Sequence, residues 1–225
     1  MSKTVGIIGG MGPSATVDLF QKIVQHTPAA ADQEHVKILI YNNPQIPPRS
    51  LDAISPLPEL IRSATLLEQA GADFLIMPCH TAHLWYEEIK KSITIPFYSM
   101  IENTAQALLE KYPQQVEILL LATSTTLHSG LYQKALNRTS VKLFTPTLEQ
   151  QKVVDQAIKH VKAGRLPNKP LQDLQQLLVD YQKEGGSAVL GCCTEIPLMF
   201  PYFQVDMDLL DPTLMLALLA IHKAM

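Results

Sequence analysis

Cysteine is scarce in this sequence, which contains only Cys79, Cys192 and Cys193 among its 225 residues. Because the number is odd and two of the three are adjacent, the pattern argues against a disulfide framework and favours a reducing compartment. An excess of charge of one sign is also lacking, since 18 basic residues stand against 21 acidic ones and the formal net charge is −3. This balance argues against partners that attract strong positive charge, namely nucleic acids and membrane surfaces.

Long hydrophobic runs are lacking as well. The longest late apolar stretch, residues 214–221, is far too short to span a bilayer. The first residues lead directly into the apolar segment 5–8, with neither the apolar length nor the cleavage site of a signal peptide. What is present is a hydrophobic content of 47% with 17% charged residues, which excludes intrinsic disorder. We therefore expect a soluble, cytoplasmic protein. Its composition does not exclude small neutral or zwitterionic molecules as ligands.

Short runs rich in Val, Ile and Leu alternate with longer amphipathic segments, a pattern typical of parallel sheets covered by helices on both faces. The sequence therefore predicts an α/β fold. The predicted strands span residues 5–8, 36–41, 74–77, 116–122, 141–144, 188–190 and 205–207. The predicted helices span residues 14–26, 58–70, 84–92, 126–137, 150–163, 171–184 and 212–224.

Two segments of the chain are similar to two later segments at nearly the same spacing. Residues 5–8 correspond to residues 116–119, which lie 111 positions later. Residues 71–79 correspond to residues 185–193, which lie 114 positions later. The repeat predicts two lobes, in each of which a buried strand delivers a cysteine at its carboxyl end, where the next helix begins.

The positions of Cys79 and Cys193 suggest a chemical role. In open α/β sheets the ligand crevice lies outside the carboxyl ends of the strands, and a following helix N-terminus favours thiolate over thiol. If two similar lobes face each other, one thiolate can remove a proton from a carbon while the opposite thiol returns one to the other face. This reaction inverts a stereocentre without a redox step.

Three other interpretations compete with this one. A free cysteine after an apolar strand is often inert packing, and we assign that role to Cys192. A metal site is suggested by the cysteines and histidines Cys79, His80, His83, Cys192 and Cys193. Their spacing along the chain does not match that of paired zinc ligands. A serine hydrolase is disfavoured because no Gly-x-Ser-x-Gly turn follows a strand.

Two loops suggest groups that bind carboxylates. The glycine turn at residues 9–13 lacks both the dinucleotide fingerprint and the Walker lysine, so a turn whose N–H groups meet a carboxylate at a helix N-terminus explains it more simply. In the second loop, prolines flank Arg49, whose planar guanidinium suits a second carboxylate. A solvated loop charge is the alternative for this arginine.

Five segments of the chain, taken in order, resemble the aspartate/glutamate racemase family. They are GIIGGMGP at residues 6–13, YNNPQIPPR at 41–49, MPCHTAH at 77–83, GCCTEIP at 191–197 and DPT at 211–213. The resemblance covers essentially the whole chain and implies a cofactor-independent amino-acid racemase that needs no metal. Its fold would be two pseudo-symmetric, three-layer α/β/α lobes with mostly parallel sheets, and its active site would lie in the cleft between them.

The resemblance also implies roles for individual residues and an arrangement of domains. Cys79 and Cys193 match the catalytic pair, and the substrate would be an acidic amino acid, aspartate before glutamate. The substrate-binding positions carried over from the family are Met11, Arg49, His80, Thr81, Thr126, Lys162 and Thr194. The first lobe would comprise residues 1–101 with 211–225, the second residues 102–210, joined by a short connection near residues 100–103. A homodimer is implied by the family alone.

His80 departs from the family pattern, which usually has asparagine after the first cysteine. Histidine can still donate a hydrogen bond to a substrate carboxylate, but it can also form a thiolate–imidazolium pair with a neighbouring cysteine. The alternatives to racemisation are therefore isomerisation or decarboxylation of a related small diacid, or amino-acid binding without catalysis if His80 disables the site.

Overall fold

The computed structural model describes residues 2–49, 54–166 and 168–225. The chain forms two compact units, Met1–Thr104 with Thr213–Met225 (unit 1) and Ala105–Pro212 (unit 2). Among the described residues, none of the helices combines the length and the apolar character needed to cross a membrane.

The strands and helices alternate along the chain as the hydrophobic pattern predicts. The strands are β1 (Thr4–Gly9), β2 (Lys37–Asn42), β3 (Phe74–Ile76), β4 (Val116–Leu121), β5 (Val141–Phe144), β6 (Ala188–Gly191) and β7 (Asp208–Leu210). The helices are α1 (Pro13–His26), α2 (Leu57–Gln69), α3 (Tyr86–Lys91), α4 (Met100–Lys111), α5 (Ser124–Ser129), α6 (Leu131–Ala135), α7 (Leu148–Lys162), α8 (Asn168–Lys183) and α9 (Pro212–Ala224). Short 3-10 helices cover Asp32–Glu34, Thr81–Trp85 and Pro197–Tyr202.

The sheet of unit 1 is parallel, with strand order β2-β1-β3. Successive side chains of β1 point to opposite faces, so Val5 and Ile7 pack with α1 and α9, whereas Ile8 packs with α2 and α3. Because both faces are covered, the strand is apolar along most of its length and the unit has three layers.

The sheet of unit 2 is also parallel, with strand order β5-β4-β6-β7. Leu119 and Leu121 of β4 share a buried cluster with Val189 of β6 and with residues of α7 and α8. Ile118 and Leu120, which point the opposite way from the same strand, are fully buried as well. The predicted α/β fold with mostly parallel sheets is confirmed in both units.

The internal repeat extends further than the sequence comparison indicates. In each unit the first strand lies between the second and the third, so β1, β2 and β3 correspond to β4, β5 and β6. The third strand then forms a further parallel pairing, a bridge from Leu75 to Phe97 in unit 1 and the β6–β7 ladder in unit 2. A helix begins soon after each of these pairings, α4 at Met100 and α9 at Pro212.

The segment that joins the two halves is not the short linker predicted at residues 100–103. Those residues begin the 12-residue helix α4, within which the boundary between the units falls. Met100 and Leu108 are buried, and the Ser99 hydroxyl accepts the Glu102 N–H at 3.2 Å as a helix N-cap does. Polar residues between these positions obscure the apolar face, which is why the pattern did not predict the helix.

Three other boundaries differ from the prediction. The last strand lies at residues 208–210 rather than 205–207, because the N–H of Asp208 pairs with the Ser187 carbonyl and sets the register. The predicted helix 126–137 is two helices, since Gly130 adopts a left-handed φ of 66° that ends the first. The predicted helix 84–92 is a 3-10 turn followed by α3.

Candidate active site

In unit 1, Cys79 lies three residues beyond the end of β3 and is almost fully buried. A turn follows it, in which the His83 N–H donates to the His80 carbonyl at 3.0 Å. The His83 ring lies within 2.8 Å of the Cys79 carbonyl through Nδ1 and accepts the Met100 N–H through Nε2 at 3.0 Å. Since a carbonyl only accepts, His83 carries its proton on Nδ1 and ties the cysteine turn to the start of α4.

Both histidines beside Cys79 are neutral at neutral pH. Burial lowers the pKa of His80 to about 3, with a smaller contribution from the nearby His83. Burial also lowers the pKa of His83 to about 4, although the hydrogen bond to the Cys79 carbonyl opposes this shift. The thiolate–imidazolium pair considered for His80 is therefore disfavoured, and hydrogen bonding remains the role open to this side chain.

The geometry also bears on the metal interpretation. Both ring nitrogens of His83 are used in hydrogen bonds to the backbone, so this residue is not a metal ligand. Within the part of the chain that the structure describes, no group of three His, Cys, Asp or Glu side chains is placed to hold an ion.

The glycine turn after β1 is held in place by close backbone contacts. Gly10 has a φ of 97°, and a Cβ there would lie 2.3 Å from the backbone of Asn43. Its N–H donates to the Thr16 hydroxyl at 2.9 Å. Met11, the next residue, belongs to the same buried cluster as Cys79, so the structure brings these two predicted site residues together.

Arg49 lies in the loop that follows β2. Its guanidinium donates to the Pro47 carbonyl at 3.2 Å and the residue is partly buried. The start of the same loop is anchored by Asn43, which accepts the Gln45 N–H at 3.0 Å and donates to Glu59 at 3.2 Å. Thr81, the remaining predicted position of unit 1, lies two residues after Cys79 at the start of a 3-10 turn and is partly buried.

In unit 2, Cys193 lies two residues beyond the end of β6 and is 7% exposed. Its Sγ donates a hydrogen bond to Oε2 of Glu195 at 2.8 Å. The Thr194 hydroxyl donates to the same oxygen at 3.5 Å, so the two preceding side chains both donate to the Glu195 carboxylate. Glu195 itself is 1% exposed.

The surroundings of Cys193 keep its proton in place. Burial raises the pKa of the Cys193 thiol well above its usual value, the negative charge of Glu195 raises it further, and the positive charge of Lys162 opposes both. Cys193 is therefore a thiol at neutral pH. The effect of Lys162, at the last position of α7, links this predicted site residue to Cys193.

Thr126, the other predicted position in unit 2, is buried in the loop and helix that follow β4. Its N–H donates to the Thr123 hydroxyl at 3.3 Å, and the two hydroxyl oxygens lie 3.1 Å apart. Two side chains of α7 hold this loop: Gln151 donates to the Ala122 carbonyl at 2.9 Å, and Asp155 accepts the Ser124 hydroxyl at 2.5 Å. Gln151 and Asp155 are four residues apart and therefore lie on one face of α7. This spacing alone did not indicate a function in the sequence.

Cys192 is fully buried, and its N–H donates to the Leu121 carbonyl at 2.7 Å. Burial raises the pKa of its thiol well above the usual value, while a hydrogen bond with Tyr132 opposes the shift. The prediction that Cys192 is a packing residue is confirmed.

Sequence reasoning assigned no role to Glu195, although a signal was present. Glu195 is the only charged residue between positions 188 and 205, in a segment that is otherwise almost wholly apolar. A single acidic residue in such a segment is buried with it, and a buried carboxylate requires a hydrogen-bonding partner.

A comparison with known proteins places these elements in a family. Residues 8–220 match the family model described as Asp/Glu/Hydantoin racemase. The chain belongs to this family. Aspartate racemase from Picrophilus torridus has 32% identity and a TM-score of 0.85, over 99% of this chain and 94% of that structure. The resemblance identified from the five segments is confirmed.

Two further proteins are similar to nearly the whole chain. An aspartate racemase homologue from Pyrococcus horikoshii OT3 has 25% identity and a TM-score of 0.77, over 99% of both chains. A broad-specificity amino-acid racemase from Bacillus subtilis (strain 168) is 28% identical over 221 residues, covering 95% of this chain and 94% of that protein. Because the chain belongs to a family of amino-acid racemases, it is an enzyme of the isomerase class.

Proposed function

We propose that the chain racemises an acidic amino acid, aspartate before glutamate, without a cofactor, and that Cys79 and Cys193 are its two bases. The observation that carries the proposal is the repeat, in which each unit delivers one buried cysteine just beyond the carboxyl end of its third strand. The similarity to the aspartate racemase of Picrophilus torridus favours aspartate.

In the proposed reaction one cysteine acts as a base and the other as an acid. The thiolate of one cysteine takes the α-proton, forming an S–H bond while the C–H electron pair remains on carbon. The thiol of the other donates its proton to the opposite face, which inverts the α-carbon. Hydrogen-bond donors near the substrate carboxylate would stabilise the charge that develops in the transition state.

The substrate-binding roles follow from the chemistry of the predicted residues. Arg49 would bind the side-chain carboxylate with its planar guanidinium, and Lys162 would add positive charge near Cys193. The remaining predicted positions would surround the substrate: Met11, His80, Thr81, Thr126 and Thr194. Because His80 is neutral, its proposed contribution is a hydrogen bond to the substrate rather than a charge.

The test is incubation of the protein with single enantiomers of aspartate and of glutamate in deuterated water, with a chelator and without pyridoxal phosphate. We expect product of inverted configuration that carries deuterium at the α-carbon, measured by chiral chromatography and by loss of the α-proton NMR signal. Cys79→Ala and Cys193→Ala should each abolish racemisation, and the matched variant Cys192→Ala should retain it.

Other outcomes would identify another function. Loss of carbon dioxide from a diacid would indicate a decarboxylase, and binding without α-proton exchange would indicate a binding protein. Faster turnover of neutral or basic amino acids than of aspartate and glutamate would contradict the proposed acidic substrate. If only one of Cys79 and Cys193 is needed, the two-base scheme is wrong.

We also propose that the enzyme works as a homodimer in the cytoplasm, as the family resemblance implies. Sedimentation at assay concentration tests the first point, and fractionation of the source cells tests the second. A monomer with full activity would contradict the dimer.

A further inference from the structure

The ring of His83 joins two backbone groups of unit 1 that are distant along the chain. Its Nδ1–H donates to the Cys79 carbonyl at 2.8 Å, and its Nε2 accepts the Met100 N–H at 3.0 Å. The ring is buried and stacks against Tyr86 and Phe97, with centroid distances of 5.8 Å and 6.4 Å. It is therefore held between two aromatic rings while both of its nitrogens are bonded to the backbone.

Packing alone does not explain a histidine at this position. Burial lowers the pKa of His83 to about 4, so the site accepts the charged ring poorly. A phenyl ring would stack on Tyr86 and Phe97 without bringing any polar atom into the interior. What the histidine adds is two hydrogen bonds of defined direction, which are strong in low-dielectric surroundings. The role of the residue therefore lies in the two groups that these bonds hold.

The bond from His83 completes a set of restraints on the backbone of Cys79. The Cys79 N–H donates to the Met77 carbonyl at 2.9 Å, and the Cys79 carbonyl accepts the His83 ring. Pro78, which precedes the cysteine, has its own φ fixed by the pyrrolidine ring. The nitrogen and the carbonyl carbon of a residue determine the direction of its Cα–Cβ bond. With both groups held, the Cys79 side chain leaves the backbone in one direction.

Unit 2 fixes its cysteine turn by a different means. At the spacing of 114 residues that aligns Cys79 with Cys193, the residue that corresponds to His83 is Pro197. Pro197 begins the 3-10 helix of unit 2, and a Cβ added to Gly191 would lie 3.0 Å from its ring. A proline restricts the backbone without donating or accepting through its side chain. The hydrogen-bonded ring is therefore specific to the first cysteine and is not required by the strand order that both units share.

We infer that His83 is a positioning residue for Cys79, whose ring fixes the direction of the thiol by holding the Cys79 carbonyl in line with the start of α4. This inference rests on the proposed racemisation, in which the sulfur has to approach the α-proton along one direction. His83 acts through the backbone of Cys79, and in this scheme it neither contacts the substrate nor exchanges a proton. A displacement of about 1 Å at a reacting group can lower a rate about 100-fold.

The test uses substitutions that separate the two hydrogen bonds from each other and from the packing. His83→Asn keeps a donor near the place of Nδ1, His83→Gln keeps an acceptor near the place of Nε2, and His83→Phe keeps only a ring. We expect kcat for aspartate to fall about 30- to 100-fold in His83→Gln and His83→Phe, but less than about fivefold in His83→Asn. KM should stay within about twofold, because the contacts to the substrate are unchanged. Equal losses of kcat in His83→Asn and His83→Phe would overturn the inference.

The matched control is Tyr86→Phe, which removes a buried hydrogen bond from the same aromatic cluster. The Tyr86 hydroxyl donates to the Phe97 carbonyl at 2.6 Å and makes no bond to the cysteine turn. The variant should lower the melting temperature but leave kcat within about twofold of wild type. If Tyr86→Phe lowers kcat as much as His83→Phe, the loss comes from a general loosening of unit 1 and the inference is wrong.

A measurement that needs no racemase activity separates this inference from the proposed function. In the Cys192→Ala/Cys193→Ala background Cys79 is the remaining thiol, so alkylation by iodoacetamide, followed by mass spectrometry, reports its turn. His83→Gln and His83→Phe should each raise the alkylation rate about tenfold or more, because a loosened turn exposes the buried thiol more often. His83→Asn and Tyr86→Phe should stay within about twofold.

The two failures can then be told apart. If the wild-type enzyme racemises nothing while the alkylation rates differ as expected, the proposed function fails and the restraint of Cys79 by His83 stands. If the alkylation rate is the same in all the His83 variants and in the unsubstituted background, the positioning role is overturned even in an active enzyme.

Discussion

The two units use the same strand order to position a cysteine but surround it with different groups. In unit 1, Cys79 is followed by His80 and Thr81, and the nearby ionisable rings are neutral. In unit 2, Cys193 is followed by Thr194 and Glu195, and a negative charge lies 2.8 Å from the thiol. The backbone repeat therefore sets where the cysteines lie along each unit, while the residues that follow each cysteine determine which groups surround it.

The largest expected effect comes from replacing each cysteine in turn. The two variants test whether the two cysteines remove the α-proton from opposite enantiomers. Cys79→Ala and Cys193→Ala should each lower racemisation at least about 1,000-fold, because a base and an acid are both required. Each variant should retain slow α-proton exchange for one enantiomer only, and the enantiomer should differ between the two. Exchange of the same enantiomer by both variants, measured by NMR in deuterated water, would contradict opposed bases.

The next effect concerns Gly10, a glycine of unit 1 with a positive φ that lies against the backbone of Asn43. Gly10→Ala should destabilise the protein by about 3 kcal/mol or more, because its φ of 97° is unfavourable for alanine and the new Cβ would lie 2.3 Å from Asn43.

The matched variant is Gly185→Ala in unit 2, where φ is 94° and nothing lies within 4 Å of the added Cβ. It should cost about 1 kcal/mol from the backbone conformation alone. Thermal melting compares the two, and equal losses would show that the contact with Asn43 does not matter.

A further effect is expected from acid, which should weaken unit 1 through its two buried histidines. The pKa values of His80 and His83 fall from 6.5 to about 3 and about 4 on folding, so below pH 6.5 the unfolded chain binds protons that the folded chain does not. Stability should therefore fall as the pH drops from about 6.5 to 4, by up to about 1.4 kcal/mol per pH unit for each histidine.

The single tryptophan, Trp85, lies two residues after His83 in sequence, so its fluorescence reports unit 1. In the variant His80→Asn the slope of stability against pH should fall by about one proton. An unchanged slope would mean that His80 is protonated in the folded protein.

The smallest expected effect is at the surface of unit 2. Glu149→Gln breaks an exposed ion pair with Lys152 and should change stability by less than about 0.5 kcal/mol. A loss as large as that of Gly185→Ala, measured by denaturant unfolding, would show that surface charge stabilises unit 2 in a way that the structure does not indicate.

Much of the fold could be predicted because parallel strands buried on both faces leave a clear apolar pattern. Segments such as 116–119 and 188–190 lie within strands, and the final helix begins and ends as its pattern predicts. Helix α4 was missed because its buried positions are separated by charged and amide side chains. The last strand was misplaced because its register depends on a hydrogen bond to Ser187, which no local pattern reveals.

Residue type and position allowed candidate site residues to be selected from the sequence, but the contacts around them could not be predicted from it. Cys79 and Cys193 were selected because they end equivalent segments, and their catalytic role stays a prediction. Cys192 is fully buried, as its assignment to packing predicts. The neutral state of His80 depends on its burial, and the tautomer of His83 depends on the Met100 N–H seventeen residues later. The hydrogen bond from Cys193 to Glu195 depends on the geometry of a side chain two residues away.

Helix α9 gives the protein an order of assembly. Its residues Leu216, Ala217 and Ala220 pack with Val5 and Ile7 of the first strand, and the Lys3 N–H donates to the Ala224 carbonyl at 2.8 Å. During synthesis β1 and α1 precede unit 2, whereas α9 follows it, so this face of the unit 1 sheet is covered only in part, by α1, until α9 emerges. The nascent chain therefore exposes part of that face while unit 2 is made, which gives chaperones a defined surface on which to act.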